Sequence, residues 1–410
     1  VTEENKLIRI AVDAPPGPLQ SPRNYGALQL ASFGALPPRA PLSSPMPNLS
    51  IEGGCDINIK DEGHTYILSP KKNNNHKLNY ISGEDYLRGL EYLISHDVTV
   101  HHLIMSKAKL GLMQDGSAII NFQDKVPAFE GLLSSPAWIP FRNNKWPGAR
   151  QICEIAPNRW EAFCPYNSIP TILIEVIRNP EENITLYEKG IINQTADTAT
   201  PFNSLTSGNG QRIVKKTSLR AILVFSGELL GDDKKQIRRK IKSILNKTNC
   251  GEHVGWARVS TLSDDPLPLR NLTPLDWSPT ASRNGLIFAY SDYSPNATVA
   301  WSIATTLQKN GIPCTPVSDS YSAPKVRAAL RLMIVSGPTD DAWGRYASLI
   351  FCPVWRSEPR AQKKYIQTLK SPIFNNMHRR LLDDIIDDIC PSVIIGAIPS
   401  ICLSNVDFKN

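Results

Sequence analysis

The sequence predicts an α/β protein, and three observations predict it. Segments of strand and helix character alternate along the whole chain, with no internal repeat and no low-complexity tract. The stretch from Gly285 to Cys314 reads as apolar strand, polar turn, amphipathic helix and the start of another strand, the spacing of a right-handed crossover to a parallel neighbour. "DEG" at Asp61–Gly63, flanked by alternating polar and apolar residues, adds an antiparallel hairpin.

Taken in order, Leu7 to Val12 is a short apolar strand that ends at Pro15-Pro16. Around "DEG", Cys55, Ile57 and Ile59 share one face before the turn, and Thr65, Ile67 and Leu68 follow it. Ser82 is an N-cap with Asp85 three residues on, and Tyr86, Leu90, Leu93 and Ile94 form the stripe of the helix they open. "SAIINFQDKVPAFEGLLSSPAWIPFR" is strand, Pro-started helix and proline-bounded loop. Ile172–Val176 is a buried-type strand. Asn179-Pro180 turns into a short helix ending near Gly190, and Ile191-Ile192 starts another strand. "LRAILVFSG" is a further buried strand, followed by a helix with Ile237, Ile241, Ile244 and Leu245 on one stripe. After a proline-rich loop from Asp264 to Pro279 comes the strand Leu286–Tyr290. Its helix carries Val299, Ile303 and Leu307, and the next strand is Ile312–Val317. "ALRLMIVSG", a helix with Leu381, Leu382, Ile385 and Ile386, and "SVIIGAIPS" complete the pattern.

At 410 residues the chain is long enough for two or more domains with separate cores. Its 41% hydrophobic and 20% charged residues fit a folded soluble protein. The formal charge is +7, but the bases are scattered among 38 acids, which argues for solubility and weak steering of anions and against nucleic acid as a partner. No run of about 18 apolar residues is present to span a membrane. The chain opens "VTEENKLIRIAVDAPP" without an initiator Met, which fits a processed or trimmed N-terminus, and the lack of a visible signal peptide does not make the protein cytoplasmic. None of the eight cysteines shows CxxC spacing. Most read as buried thiols, with a local Cys153–Cys164 disulfide open in an oxidising compartment. His96, His101 and His102 read as ordinary histidines, since the segment offers too few ligands for a metal cage. No GxSxG, HExxH, P-loop or framed GxGxxG occurs.

In order and spacing, several segments resemble the extracytoplasmic solute-binding proteins of the peptide/nickel type that serve ABC importers. They are "DEGHTYILSPKKNNNHKLNYISGEDYLRGLEYL", "NITLYEKGIINQT", "LRAILVFSGELLGDDKKQIRRKIKSILNK", "YSDYSPNATVAWSIATTLQKNGI" and "VSGPTDDAWGRYASLIF". Ser226 stands where that family has Asn, Ala342 where it has the Pro of a DP turn, and the chain is shorter after Trp355. The resemblance implies a periplasmic-binding-protein-like fold: two lobes, a two-strand hinge and a ligand cleft between them. Lobe I would cover 1–222, lobe II 223–390, and 391–410 would return to lobe I, with the first crossing near Ala221–Phe225. It implies a monomer that binds a short peptide or other small polar solute without a cofactor and delivers it to an ABC permease. The setting would be periplasmic or extracellular, attached through a removed signal or lipid anchor. The alternative is an enzyme on the same fold, cytoplasmic, that condenses or cyclises a small molecule by proximity.

Candidate ligand contacts follow from residue chemistry and from the resemblance together. Tyr290, Asp292 and Tyr293 lie where a strand ends and a helix begins, the edge at which open α/β sheets bind ligands. Asp292 or Ser294 can equally cap that helix. In "PTDDAWGRY", Asp340 or Asp341 would hold a ligand ammonium, Trp343 and Tyr346 would supply flat apolar surface, and Arg345 would meet a carboxylate or neutralise Asp341. The resemblance places Trp138 and Tyr25 on the first-lobe side of the cleft, with a core role as the alternative for Trp138. The paired acids Asp383-Asp384 and Asp387-Asp388 read as a solvated helix face.

Overall fold

A computed structural model describes residues 7–12, 37–40, 53–71, 81–135, 137–142, 151–163, 171–196, 211–215, 217, 219–262, 264, 285–320, 324–339 and 341–405. Leu7–Val12 (β1) buries Ile8 and Ile10. Cys55–Lys60 (β2) and Thr65–Pro70 (β3) pair across the hairpin, with Asp61, Glu62 and Gly63 all at positive φ, as a tight reversal requires. Gly83–His96 (α1) opens on a capping box: Asp85 N donates to Ser82 Oγ (3.3 Å) and Ser82 N to Asp85 Oδ2 (2.8 Å). Such a cap is worth about 1 kcal/mol. Ala108–Leu112 (β4) and Ala118–Phe122 (β5) complete a sheet of order β2-β3-β5-β4, and Ala128–Leu133 (α2) follows Pro127.

Gln151–Ala156 (β6), Arg159–Phe163 (β7) and Thr171–Val176 (β8) join β1 in a second sheet, β1-β8-β7-β6, in which β1 and β8 run parallel. Pro180–Glu188 (α3) is capped by Asn179. The strand expected at Ile191–Ile192 does not form. Arg9 N donates to the Asn193 side chain (2.8 Å) where a ladder would use a carbonyl, and pairing shrinks to isolated bridges at Gln194.

The remaining elements are Gln211–Lys215 (β9), Arg220–Phe225 (β10), Lys235–Asn246 (α4), Leu286–Ser291 (β11), Asn296–Lys309 (α5), Cys314–Asp319 (β12), Leu330–Val335 (β13), Ala342–Ala347 (α6), Pro359–Leu369 (α7), Asn376–Ile389 (α8), Ser392–Ala397 (β14) and Ser400–Ser404 (β15). Five of these strands form the largest sheet, β12-β11-β13-β10-β14. β11 is parallel to β12, the crossover that the Gly285–Cys314 pattern predicts, and Val299, Ile303 and Leu307 of α5 are buried. On α4 the buried stripe is Arg238, Ile241 and Leu245, with Ile237 and Ile244 only half-buried. Arg238 displaces the expected isoleucines because its guanidinium serves three carbonyls, those of Leu229 (3.0 Å), Gly231 (2.8 Å) and Ile389 (3.1 Å).

β10 lies between β13 and β14, fully buried. β9 and β15 pair with each other outside that sheet. The chain leaves for β10 through Thr217 and Leu219 and comes back through Ile398. There Thr217 Oγ1 donates to Ile398 O, and Ile398 N donates to Leu219 O (3.1 Å). The β1–β8 sheet has its own apolar core of Ile8, Ile10, Trp160, Ile172 and Ile174. The hairpin sheet and the five-stranded sheet share one continuous core. Cys55, Cys250, Cys314, Cys352 and Cys390 are buried thiols, and burial pushes Cys55 and Cys314 up to about 12, so neither is a nucleophile. Cys153 is unbridged and exposed, and Cys164 lies outside the described residues.

Candidate functional site

The carboxyl ends of parallel strands in two different sheets face each other. From the β1–β8 sheet, Arg178 follows β8 with only Ile177 between. From the five-stranded sheet, the turn 290–293 follows β11. Arg178 Nη1 lies 3.5 Å from Asp292 Oδ2, an ion pair between the two sheets with both side chains more than a third exposed. Asp292 does not cap α5: the N-cap is Pro295, which follows a cis peptide bond, and no side chain makes a cap hydrogen bond there. The helix start is held instead by Asn296, whose N donates to Tyr293 O (3.1 Å) and whose Nδ2 donates to Ser291 O (3.4 Å). The Asp292 carboxylate is therefore directed across to the other sheet. Tyr290 is half-buried against the main core, and Tyr293 is half-exposed.

A buried polar knot stiffens this edge. Asp319, at the end of β12, accepts from Lys325 N (2.9 Å), Val326 N (3.2 Å) and Arg331 Nη1 (2.7 Å). Burial pushes its carboxyl up, but these donors outweigh burial and hold it below the usual carboxylate range. Asp292 N donates to Asp319 O (3.1 Å), so the turn is fastened to the knot by backbone.

The second candidate turn, 336–346, is built differently. Asp341 Oδ1 accepts from Gly344 N (2.9 Å) and Thr339 Oγ1 (2.6 Å), making it the N-cap of α6. Gly131 of α2 sits so close that a Cβ there would meet Thr339 Cβ at 2.8 Å and Asp341 Oδ2 at 3.2 Å. The turn is thus folded on itself and covered by α2. Four residues expected at a ligand surface are corrected here. Trp343 is buried, with Nε1 donating to Leu369 O (2.9 Å), and Tyr346 is buried, with its hydroxyl donating to Asp383 Oδ1 (2.8 Å). Trp138 is buried, with Nε1 donating to Tyr86 O (3.0 Å) and its ring packed on Phe129. Asp341 is the cap just described. Large aromatics whose one polar atom is satisfied internally are core anchors. Arg345 Nε donates to Leu262 O (2.6 Å), tying α6 to the 260–262 loop. Tyr25 and Asp340 lie outside the described residues.

Of the candidates, then, the structure groups Tyr290, Asp292 and Tyr293 at one edge and adds Arg178, which sequence reasoning missed. The available signal was its position, a base immediately after the buried run "TILIEVI". The acids of α8 are not a simple solvated face either. Asp388 pairs with Lys235 (3.0 Å) and Arg239 (2.7 Å), Asp387 pairs with Lys242, and Asp383 takes the Tyr346 hydroxyl. A cavity of about 480 Å³ between α4 and α8, lined by Lys242, Ser260, Leu262, Asp383 and Ile394, lies away from Arg178 and Asp292. Among the described residues, no group of three or more His, Cys, Asp or Glu is arranged to hold a metal.

No family model matches the sequence, and no curated protein matches it. Solved structures do match. The murein tripeptide binding protein MppA of Escherichia coli superposes with a TM-score of 0.73 at 12% identity, over 98% of this chain and 94% of that one. NikA from Staphylococcus aureus, in complex with Ni(L-His)2, gives 0.72 at 12%, over 99% and 96%. Haemophilus influenzae OppA, in complex with RPPGFSPFR, gives 0.72 at 13%, over 98% and 95%. The chain has the two-lobed fold of these solute-binding proteins. Near-complete coverage of both chains carries that conclusion, since the identities are far too low to do so.

Proposed function

We propose that the protein captures a peptide-like or other small polar solute between its two lobes and hands it to the permease of an ABC importer, by hinge closure and without a covalent step. The observation that carries this reading is the Arg178–Asp292 pair. Each member stands at the carboxyl edge of its own sheet, and neither caps a helix. A ligand with both an ammonium and a carboxylate can replace the pair charge for charge: its carboxylate meets Arg178 and the N-terminus of α5, and its ammonium meets Asp292. Tyr290 and Tyr293, both half-buried, bracket Asp292 in the chain and are the candidates for an apolar wall. The hinge is the double crossing at Thr217–Leu219 and Ile398, two short hydrogen-bonded segments of the kind that absorb lobe rotation. The ligands named with the similar structures, a murein tripeptide, a nonapeptide and Ni(L-His)2, are polar and charged, which supports the ligand class.

Native mass spectrometry of the purified chain identifies whatever co-purifies, and small-angle scattering of the stripped protein with and without that compound measures closure. The expected results are a one-to-one complex and a smaller radius of gyration when bound. Saturating ligand with unchanged dimensions rules out hinge closure. A bound compound whose affinity is indifferent to R178Q and D292N rules out this site.

A further inference from the structure

A run of bases precedes the acids of α8: over 351–389 seven Lys or Arg face five acids, four of which, Asp383, Asp384, Asp387 and Asp388, come at the end. Residues 351–382 contain seven Lys or Arg and a single acid, Glu358, so this stretch carries +6 of the formal +7. Six of the seven lie on, or at the C-terminal end of, the packed helices α7 and α8. Arg360, Lys363 and Lys364 follow one another at helical spacing on the exposed side of α7, away from the buried Tyr365, Thr368 and Leu369, and Arg356 is exposed in the 3-10 turn just before it. Lys370 closes α7, and Arg380 adds a base from the first turns of α8. None of these six bases makes an ion pair among the described residues, in contrast to Lys235, Arg239 and Lys242 of α4, which are matched by Asp387 and Asp388. Ile373, between α7 and α8, and Met377, in the first turn of α8, project into water. Met377 is 67% exposed and Ile373 63%, the highest values of any large apolar residue among the described ones.

We infer that the α7–α8 face docks on an anionic membrane surface, with the bases on lipid phosphates and Ile373 and Met377 entering the boundary between headgroups and acyl chains. Bases without ion-pair partners beside protruding apolar side chains match anionic headgroups over hydrocarbon, with exposed Asp384, one turn after Arg380, as the acid nearest them on α8. An acidic protein surface would have to supply matched pockets for both Ile373 and Met377. A bilayer accepts them anywhere, which favours the bilayer as occupant. None of these residues is shared with the Arg178–Asp292 site, so the two assignments stand or fall separately.

The test is partitioning of the full chain onto vesicles of phosphatidylcholine alone and of phosphatidylcholine with 30% phosphatidylglycerol. The expected result is binding only to the anionic vesicles, lost in 0.5 M NaCl as the charges are screened. Each base at an anionic surface is worth roughly fivefold in partitioning, so R360Q/K363Q/K364Q is expected to weaken binding at least twentyfold. I373S/M377S is expected to weaken it about fivefold or more, by a factor that salt does not change. K60Q/K109Q/K125Q, which removes three exposed bases from the hairpin sheet region, is expected to bind like wild type. Circular dichroism melts confirm that each variant is folded. No binding of wild type to the anionic vesicles overturns the inference, as does an equal loss in the K60Q/K109Q/K125Q control. Binding to soluble polyglutamate without binding to vesicles reassigns the face to an acidic protein and also overturns it.

Discussion

Two turns leave the carboxyl ends of neighbouring strands of the same sheet, and they have opposite fates. The turn after β13 carries two acids, two aromatics and a base in "DDAWGRY", and it looks in sequence like the richer binding surface. Folded, it is self-contained: Asp341 caps α6, Thr339 bonds Asp341, Trp343 and Tyr346 enter the core, and α2 closes over it through Gly131. The turn after β11 is plainer. Its helix starts without a side-chain cap, so Asp292 is directed at Arg178 in the opposite sheet. The difference teaches that a polar side chain at a strand end is available to a ligand only if the local backbone does not already claim it. Caps and turns make the first claim because their partners are two or three residues away and cost little chain entropy to reach.

The contrast can be broken by substitution, and the largest effect on stability belongs to the self-contained turn. A Cβ at Gly344 would stand 2.0 Å from Thr339 O, a backbone atom that cannot move aside alone. Gly344→Ala is expected to cost about 3 kcal/mol or more in urea unfolding; a loss under about 1 kcal/mol would mean the turn is looser than described. Asp341→Ala removes the cap and is expected to cost about 1–2 kcal/mol, with Asp341→Asn less damaging. If Asp341→Ala left stability untouched but abolished ligand binding, the roles of the two turns would be exchanged. Arg178→Gln and Asp292→Asn are expected to shift stability by no more than about 0.5 kcal/mol, as exposed pairs do, while weakening the co-purified ligand about tenfold or more by calorimetry.

The smallest effect sharpens the picture of how α6 is anchored. Burial raises the Asp383 carboxyl, the Tyr346 hydroxyl opposes this, and Asp387, Asp264 and Asp384 add to the rise. An acid whose folded value lies above its unfolded one destabilises the fold once ionised, so this penalty is absent below about pH 3.9 and grows as pH rises through the folded value. Asp383→Asn keeps an acceptor for Tyr346 and is expected to melt slightly higher than wild type at pH 7, with the gap closing towards pH 4. A lower melting point at pH 7 would show that the ionised carboxylate is what Tyr346 needs.

Local signals in the sequence settled most of the elements. The alternation around "DEG", the Ser82–Asp85 box, the Asn179-Pro180 start and the apolar stripe of α5 are each decided within a few residues of chain, by φ preference, capping and side-chain period, and the structure follows them. Strands that need a distant partner were less legible. Nothing local to Ile191-Ile192 shows that the Asn193 side chain takes the Arg9 N–H, and nothing local to α4 shows that Arg238 serves the carbonyl ending α8.

The site divided along the same line. From its sequence alone the protein was determined to be α/β, to place a polar turn at the end of Leu286–Tyr290, and to keep most of its cysteines as thiols. Only the tertiary structure decided that Asp292 answers to Arg178, that Trp138, Trp343 and Tyr346 are core, and that the exposed bases of α7 find no acid among the described residues. The physical reason is range. Capping and periodicity act through adjacent backbone, whereas ion pairs, burial and surface fields depend on which distant segments the packed sheets bring together.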